Sequence, residues 1–169
     1  GRHILFKERL YSMSVERVRA WLQRWDKDGG IVEFPVSTAN VELAAKAAGV
    51  IPARIAKSIA MRKGEGCVLV VTAGDTRINA RKFKDPFTTK MKMCSPDETF
   101  AFTGYKVGGV CPFAVEHPQV EIFCDVSLKR FDTVFPACGS DNSTVELSCE
   151  ELFTCAQAKG WVDVCILPE

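Results

Sequence analysis

The order of apolar and polar positions divides the chain into short elements. Val15, Val18, Leu22 and Trp25 recur at helical spacing, with Ser14 placed to cap and Gly29-Gly30 to stop, so a first helix is predicted there. Residues 31–36 read as a short strand whose Pro35 marks an edge. Residues 37–50 predict a helix capped at Thr38 or Asn40 and ended by Gly49. A further helix is predicted directly after it. Pro52 suits a first turn, and Ile51, Ile55 and Ile59 fall on an i, i+4 stripe. On such a helix Lys57 points away from the stripe, toward solvent or a cleft.

Residues 67–74 form an apolar run bounded by glycine, a buried strand, and residues 91–95 a short strand. Ser95 with Glu98 opens a helix through a capping box, and Gly104 closes it. Val120, Ile122, Cys124 and Val126 alternate as a half-buried strand does. Residues 133–138 and 144–149 read as two strands joined by a turn. Ser148 with Glu151 caps a last helix, stopped at Gly160, and residues 161–167 form a final strand. This order predicts one α/β domain, a mixed and largely antiparallel sheet with packed helices. Within it, residues 1–29 form an N-terminal helix region and residues 30–169 the main unit. Regular strand–helix alternation is missing, which argues against a doubly wound nucleotide fold.

Composition narrows the class. A chain of 169 residues, 47% apolar and 25% charged, has room for a real core. No apolar run approaches membrane-spanning length and no secretory leader is visible; Gly1 is expected to be a remnant of expression. The net charge of +1 argues against a broad nucleic-acid binder but permits a local positive patch. The eight cysteines contain no Cys-x-x-Cys pair and the only histidines are His3 and His117, so neither a metal site nor a cofactor is expected. Reduced, buried thiols in a cytoplasmic protein are the simplest account.

One stretch does not suit a strand or a helix. Residues 103–115 carry three glycines, a proline and almost no charge. Glycine lets a backbone approach a ligand, and Pro112 stiffens the far end of the Gly108-Gly109-Val110-Cys111-Pro112 loop. Such a loop either turns the chain tightly or aims N–H groups at a carbonyl, phosphate or oxyanion. No Gly-Lys-Ser/Thr follows, which excludes a P-loop. A catalytic triad would need His3 or His117, and Cys111 has apolar neighbours and no adjacent base.

Five stretches together resemble the YbaK/EbsC family of aminoacyl-tRNA deacylases, also found as the editing insertion of bacterial prolyl-tRNA synthetases. They are residues 44–60, 67–79, 103–113, Cys124-Asp125 and 139–152. The resemblance implies a YbaK-like fold and hydrolysis of the ester joining a wrongly attached small amino acid (Cys, Ala, Ser or Pro) to the 3′-terminal ribose of a tRNA. It places the family's pocket lysine on Lys57, holding the 3′-end. It gives Gly108 and Gly109 backbone contacts with the reacting group, makes Val110 a further substrate-binding residue and has Pro112 fix the loop. Ser58 either donates a pocket hydrogen bond or caps a local turn. Thr103 shapes the loop with Tyr105. Asp125 and Ser140 are pocket residues or merely turn and strand-end residues. Thr144 stands where cysteine-specific members carry aspartate, and Phe34 could replace their aromatic lining. These departures put a cysteine preference in doubt. The implied mechanism is substrate-assisted: a ribose hydroxyl helps activate water, and the protein orients and stabilises. The implied partners are aminoacyl-tRNA and an aminoacyl-tRNA synthetase such as prolyl-tRNA synthetase. Two other readings stand beside it: a non-catalytic tRNA- or synthetase-binding module of the same fold, and a domain that binds a small metabolite in the loop cleft.

Overall fold

A computed structural model describes residues 2–169, with side chains from residue 6 onward; Gly1 and the side chain of His3 lie outside the described residues. The helices are α1 Arg2–Leu22, α2 Val41–Ala48, α3 Ala80–Phe87, α4 Pro96–Thr103 and α5 Cys149–Cys155. The strands are β1 Val32–Glu33, β2 Ile55–Lys63, β3 Gly66–Ala73, β4 Arg77–Ile78, β5 Val120–Asp125, β6 Thr133–Pro136, β7 Ser143–Thr144, β8 Leu147–Ser148, β9 Gly160–Val162 and β10 Cys165–Ile166. The expected α/β domain with a mixed sheet is what forms. Six strands lie in the order β8-β6-β2-β3-β5-β9. β2–β3 and β6–β8 run antiparallel, and β2–β6, β3–β5 and β5–β9 run parallel. Two short antiparallel ribbons, β1–β7 and β4–β10, flank them.

β3 is the axis of the molecule. Every residue from Cys67 to Ala73 is buried, as its unbroken apolar run requires of a strand covered on both faces. One face, with Leu69 and Val71, packs under Val18, Trp21 and Leu22 of α1, Leu152 of α5, and Tyr105 and Phe113 of the glycine loop. The other, with Val68 and Val70, packs on Phe83 and Phe87 of α3 and on Val162 and Val164.

The largest departure from the sequence reading is at residues 55–63. They are not a second helix but strand β2, preceded by one 3₁₀ turn at Pro52–Arg54. The i, i+4 isoleucines are equally consistent with i, i+2 spacing. Pairing with β3 along nearly all of β2, from Ala56↔Ala73 to Lys63↔Gly66, outweighs the helix preference of Ala, Lys and Arg. In a strand Ile55, Lys57 and Ile59 share one face, so Lys57 does not point away from the isoleucines.

Smaller corrections share a cause: local signals that tertiary packing overrides. α1 begins at Arg2, so Ser14 lies mid-helix and buried rather than at a cap. The helix gives way to a 3₁₀ turn ending at Trp25, and Asp26 takes the left-handed position before Gly29-Gly30 is reached. Residues 91–95 make only an isolated bridge, Met61↔Met93. α5 ends at Cys155, and Gly160 starts β9, one of two short strands replacing the single final one. The capping boxes at Ser95/Glu98 and Ser148/Glu151 form as expected.

All eight cysteines are free thiols and all but Cys149 are buried. Among the described residues no helix is long and apolar enough to cross a membrane. α1 is tied to α5 by the Trp21 indole N–H, which donates to the Cys155 carbonyl at 2.7 Å in a buried setting. Trp21→Phe keeps most of the apolar area but strands that carbonyl, so chemical denaturation should show a loss of about 1–3 kcal/mol.

Candidate functional site

β2 lacks a neighbour along part of one edge. Its parallel ladder with β6 ends at Ala56↔Pro136. The 92–94 segment rejoins the same edge only at Met61↔Met93, through Cys94 N–H to the Ala60 carbonyl at 2.9 Å and Arg62 N–H to the Lys92 carbonyl at 2.7 Å. Because backbone groups alternate along a strand, those of Ser58 face the same way as the Ala60 carbonyl, into the gap. A cavity of about 450 Å³ opens there. Its walls come from α2, β2, the 93–96 segment, the glycine loop and β7, with mostly apolar side chains such as Val41, Ile59, Val110 and Phe135. This is the size and character of a small-ligand site.

Among the described residues Lys57 is the one charged residue in that lining. It stands opposite Thr72 of β3, and its Nζ donates to the Thr76 carbonyl at 2.5 Å. Burial holds the ammonium below the ordinary lysine range; Arg77 pushes the same way, while Asp75 and Glu42 oppose. The turn carrying Thr76 is braced. Arg130 clasps Asp75 with two hydrogen bonds of 2.7 and 3.1 Å, keeping that carboxyl below its usual range. The Thr76 hydroxyl donates to the Ala73 carbonyl at 2.7 Å, and the Ala73 N–H donates to Ser127 Oγ at 3.1 Å.

The glycine loop forms another wall of the cavity, reaching the open edge of β2 from the Leu69/Val71 face of the sheet, whereas the Lys57 side chain comes from the other face. Gly108 sits at φ +98°, where a side chain would be strained. A Cβ on Gly109 would fall 2.8 Å from the Gly139 carbonyl oxygen, so only glycine lets the two backbones pass. The Gly109 N–H is already used, donating to the Lys106 carbonyl at 3.0 Å. Among the described residues the N–H groups of Gly108 and Val110, both residues of the cavity lining, have no acceptor. α1 pins the loop: Tyr11 donates to the Val107 carbonyl at 3.2 Å, and the Arg17 guanidinium lies 4.5 Å from the centre of the Tyr105 ring.

Of the residues singled out from sequence, Lys57, Ser58, Gly108, Val110 and Thr144 line the one cavity. Ser58 Oγ is buried without a hydrogen-bond partner, so it caps no turn. The others lie elsewhere. Thr103 is spent inside α4, donating to the Thr99 carbonyl, and Thr99 takes its place in the wall. Asp125 caps the turn after β5 and receives the Val164 N–H at 2.8 Å. Phe34 and Ser140 line a second cleft, between α1 and the β1–β7 ribbon. Pro112 and Cys111 are buried behind the loop, and burial pushes the Cys111 thiol up to about 12. Tyr11, Arg17, Thr76 and the Asp75–Arg130 pair were not visible from sequence, because they act through contacts between distant segments. Among the described residues no three potential ligands gather as a metal site would need.

Known proteins are similar to this chain. The aminoacyl-tRNA editing domain family matches residues 35–155. YwhH of Bacillus subtilis (strain 168) is 46% identical over 154 residues, covering 90% of this chain and 98% of YwhH. The proline–tRNA ligase of Thermotoga maritima is 27% identical over 135 residues, which is 76% of this chain but only 23% of the ligase. A crystal structure of a protein described as a candidate trans-editing enzyme for prolyl-tRNA synthetase superposes with a TM-score of 0.81 at 26% identity, covering 92% of this chain and 97% of that one.

The half-buried ammonium has a consequence for stability. A lysine whose folded-state pKa lies below its unfolded value costs stability at low pH, and the cost is relieved as pH rises through the folded value. Lys57→Met should therefore melt slightly above wild type near neutral pH, with the difference shrinking as pH climbs toward 10.5, the ordinary lysine value. Thermal melts across pH check this; a gap that widens with pH contradicts it.

Proposed function

We propose that this chain, which belongs to the aminoacyl-tRNA editing domain family, is a free-standing trans-editing hydrolase. Its substrate is the ester between a small, wrongly attached amino acid and the 3′-terminal ribose of a tRNA. The observation that carries the reading is that Lys57, Gly108 and Val110 line one cavity, where the N–H groups of the two loop residues have no acceptor among the described residues.

The chemistry follows from what that cavity offers. Among the described residues Lys57 is its only charged group, and its one thiol, Cys94, is made a weaker acid by burial. No side chain there is suited to take a proton from water at neutral pH. The free hydroxyl beside the ester on the ribose is left as the proton acceptor. Water adds to the ester carbonyl, the negative charge collects on the former carbonyl oxygen, and amide N–H donors meet it there. The ribose oxygen then leaves with a proton, giving the free amino acid and intact tRNA. Lys57 holds the 3′-end by charge and hydrogen bonding. Gly109 shapes the loop rather than donating, since its N–H is taken.

The apolar walls and the polar pair Ser143 and Thr144 suit a small uncharged amino acid such as alanine, cysteine, serine or proline. An apolar pocket separates neighbours differing by one methylene by only about 1–3 kcal/mol, so overlap among them is expected. The likeness to part of a proline–tRNA ligase supports the proline-accepting tRNA carrying a wrong amino acid as the surveyed species, with prolyl-tRNA synthetase as a partner and action in the cytoplasm.

Amino acid release from alanyl-, cysteinyl-, seryl- and prolyl-forms of tRNA tests the reading. Wild type should hydrolyse at least one, and Lys57→Ala should lower kcat/KM on it by on the order of 10²-fold or more. Gly109→Ala, which displaces the loop, should fall by roughly 10²-fold in kcat with the protein still folded. tRNA retention without turnover across the panel would instead identify a binding module.

A further inference from the structure

The chain nets only +1, yet its charge is unevenly placed. Residues 77–92 carry Arg77, Arg81, Lys82, Lys84, Lys90 and Lys92 against one carboxylate, Asp85, so the rest of the molecule is net acidic. Among the described residues Lys82 is ion-paired, to Asp163 at 2.8 Å, and the other five cations are exposed and pair with no carboxylate. The fold creates this surface. Phe83 and Phe87 are drawn into the core beneath β3, which turns Arg81 and Lys84 of α3 outward.

The path of the segment ties it to the cavity at both ends. It leaves from Thr76, whose carbonyl holds the Lys57 ammonium. It returns through Met93 and Cys94, which line the cavity wall. The cations between are therefore carried on a strap that starts and finishes at the site.

We propose that this strap is a docking surface for the phosphate backbone of the RNA helix that leads into the cavity, the acceptor stem of the substrate tRNA. The inference rests on the proposed function for the identity of the RNA. A protein partner fits less well, because protein interfaces centre on apolar and aromatic anchors. Here the aromatic residues are buried and the outward face is cationic. Contacts of this kind position a duplex without reading its sequence, and their strength depends on salt through counterion release. The strap orients the tRNA, while the cavity acts on its end.

The test compares wild type with the triple variant Arg81→Gln/Lys84→Gln/Lys90→Gln, none of which lines the cavity. Two substrates are used across a salt series: whole aminoacyl-tRNA and the same aminoacyl group on a CCA trinucleotide. Each lost phosphate contact flattens the log–log salt slope by about 0.7–0.9. Between 50 and 200 mM salt, wild-type kcat/KM on whole tRNA should therefore fall about 20- to 40-fold more steeply than the variant's. Hydrolysis of the trinucleotide should be the same for both. An unchanged slope on whole tRNA overturns the proposal, as does an equal loss on both substrates. If wild type hydrolyses neither, the proposed function fails. The strap is then judged by fluorescence anisotropy with uncharged tRNA, where a flatter slope for the variant supports it and parallel slopes overturn it.

Discussion

A lysine on a strand that has temporarily lost its neighbour is the feature on which the site depends. β3 fixes Lys57 in register opposite Thr72, and β6 stops pairing one residue before it, at Ala56. The sheet thus holds the backbone of Lys57 on one side and leaves the other edge of the strand unpaired, while the Thr76 carbonyl holds the ammonium. Moving the lysine by one position would send it to the opposite face. Ending the gap by continuing β6 would fill the cavity with backbone. Burial that lowers the ammonium's pKa is the stability cost of that placement, consistent with sites that trade stability for function.

The glycine-loop wall is held by segments far apart in the chain. Gly109 passes close against Gly139, and α1 fastens the loop through Tyr11 and Arg17. The first helix is thereby more than a cover for the core. The turn behind Lys57 has its own brace in Arg130 and Asp75. The catalysis proposed above, which relies mainly on main-chain groups, needs such support, because amide donors stabilise a developing charge only if they are already aimed.

How much of this could be read from the sequence follows from the range of the interactions. The β3 run, the Asn40 and Ser95 caps and the glycine loop carry local signals, and all four form. β2 was obscured because Ala, Lys and Arg favour helices and its strand state comes only from pairing with β3. α3 gave no clear signal either, being short and interrupted by Pro86. For the site, a family resemblance put Lys57 and the loop on one list, but not the geometry between them. That the Gly109 amide is engaged while those of Gly108 and Val110 are free is a matter of one turn's hydrogen bonding, which residue types do not encode. Phe34 and Ser140 belong to another cleft because the β1–β7 ribbon carries them around the loop.

The most direct measurement is made with a non-hydrolysable analogue, an aminoacyl group joined to adenosine through a 3′-amide, titrated into ¹⁵N-labelled protein. The account predicts that the amide signals of Gly108 and Val110 shift and gain protection from exchange, that the Lys57 ammonium responds with them, and that Gly109 changes little. Saturable binding that leaves Gly108, Val110 and Lys57 untouched while perturbing a different surface would contradict it.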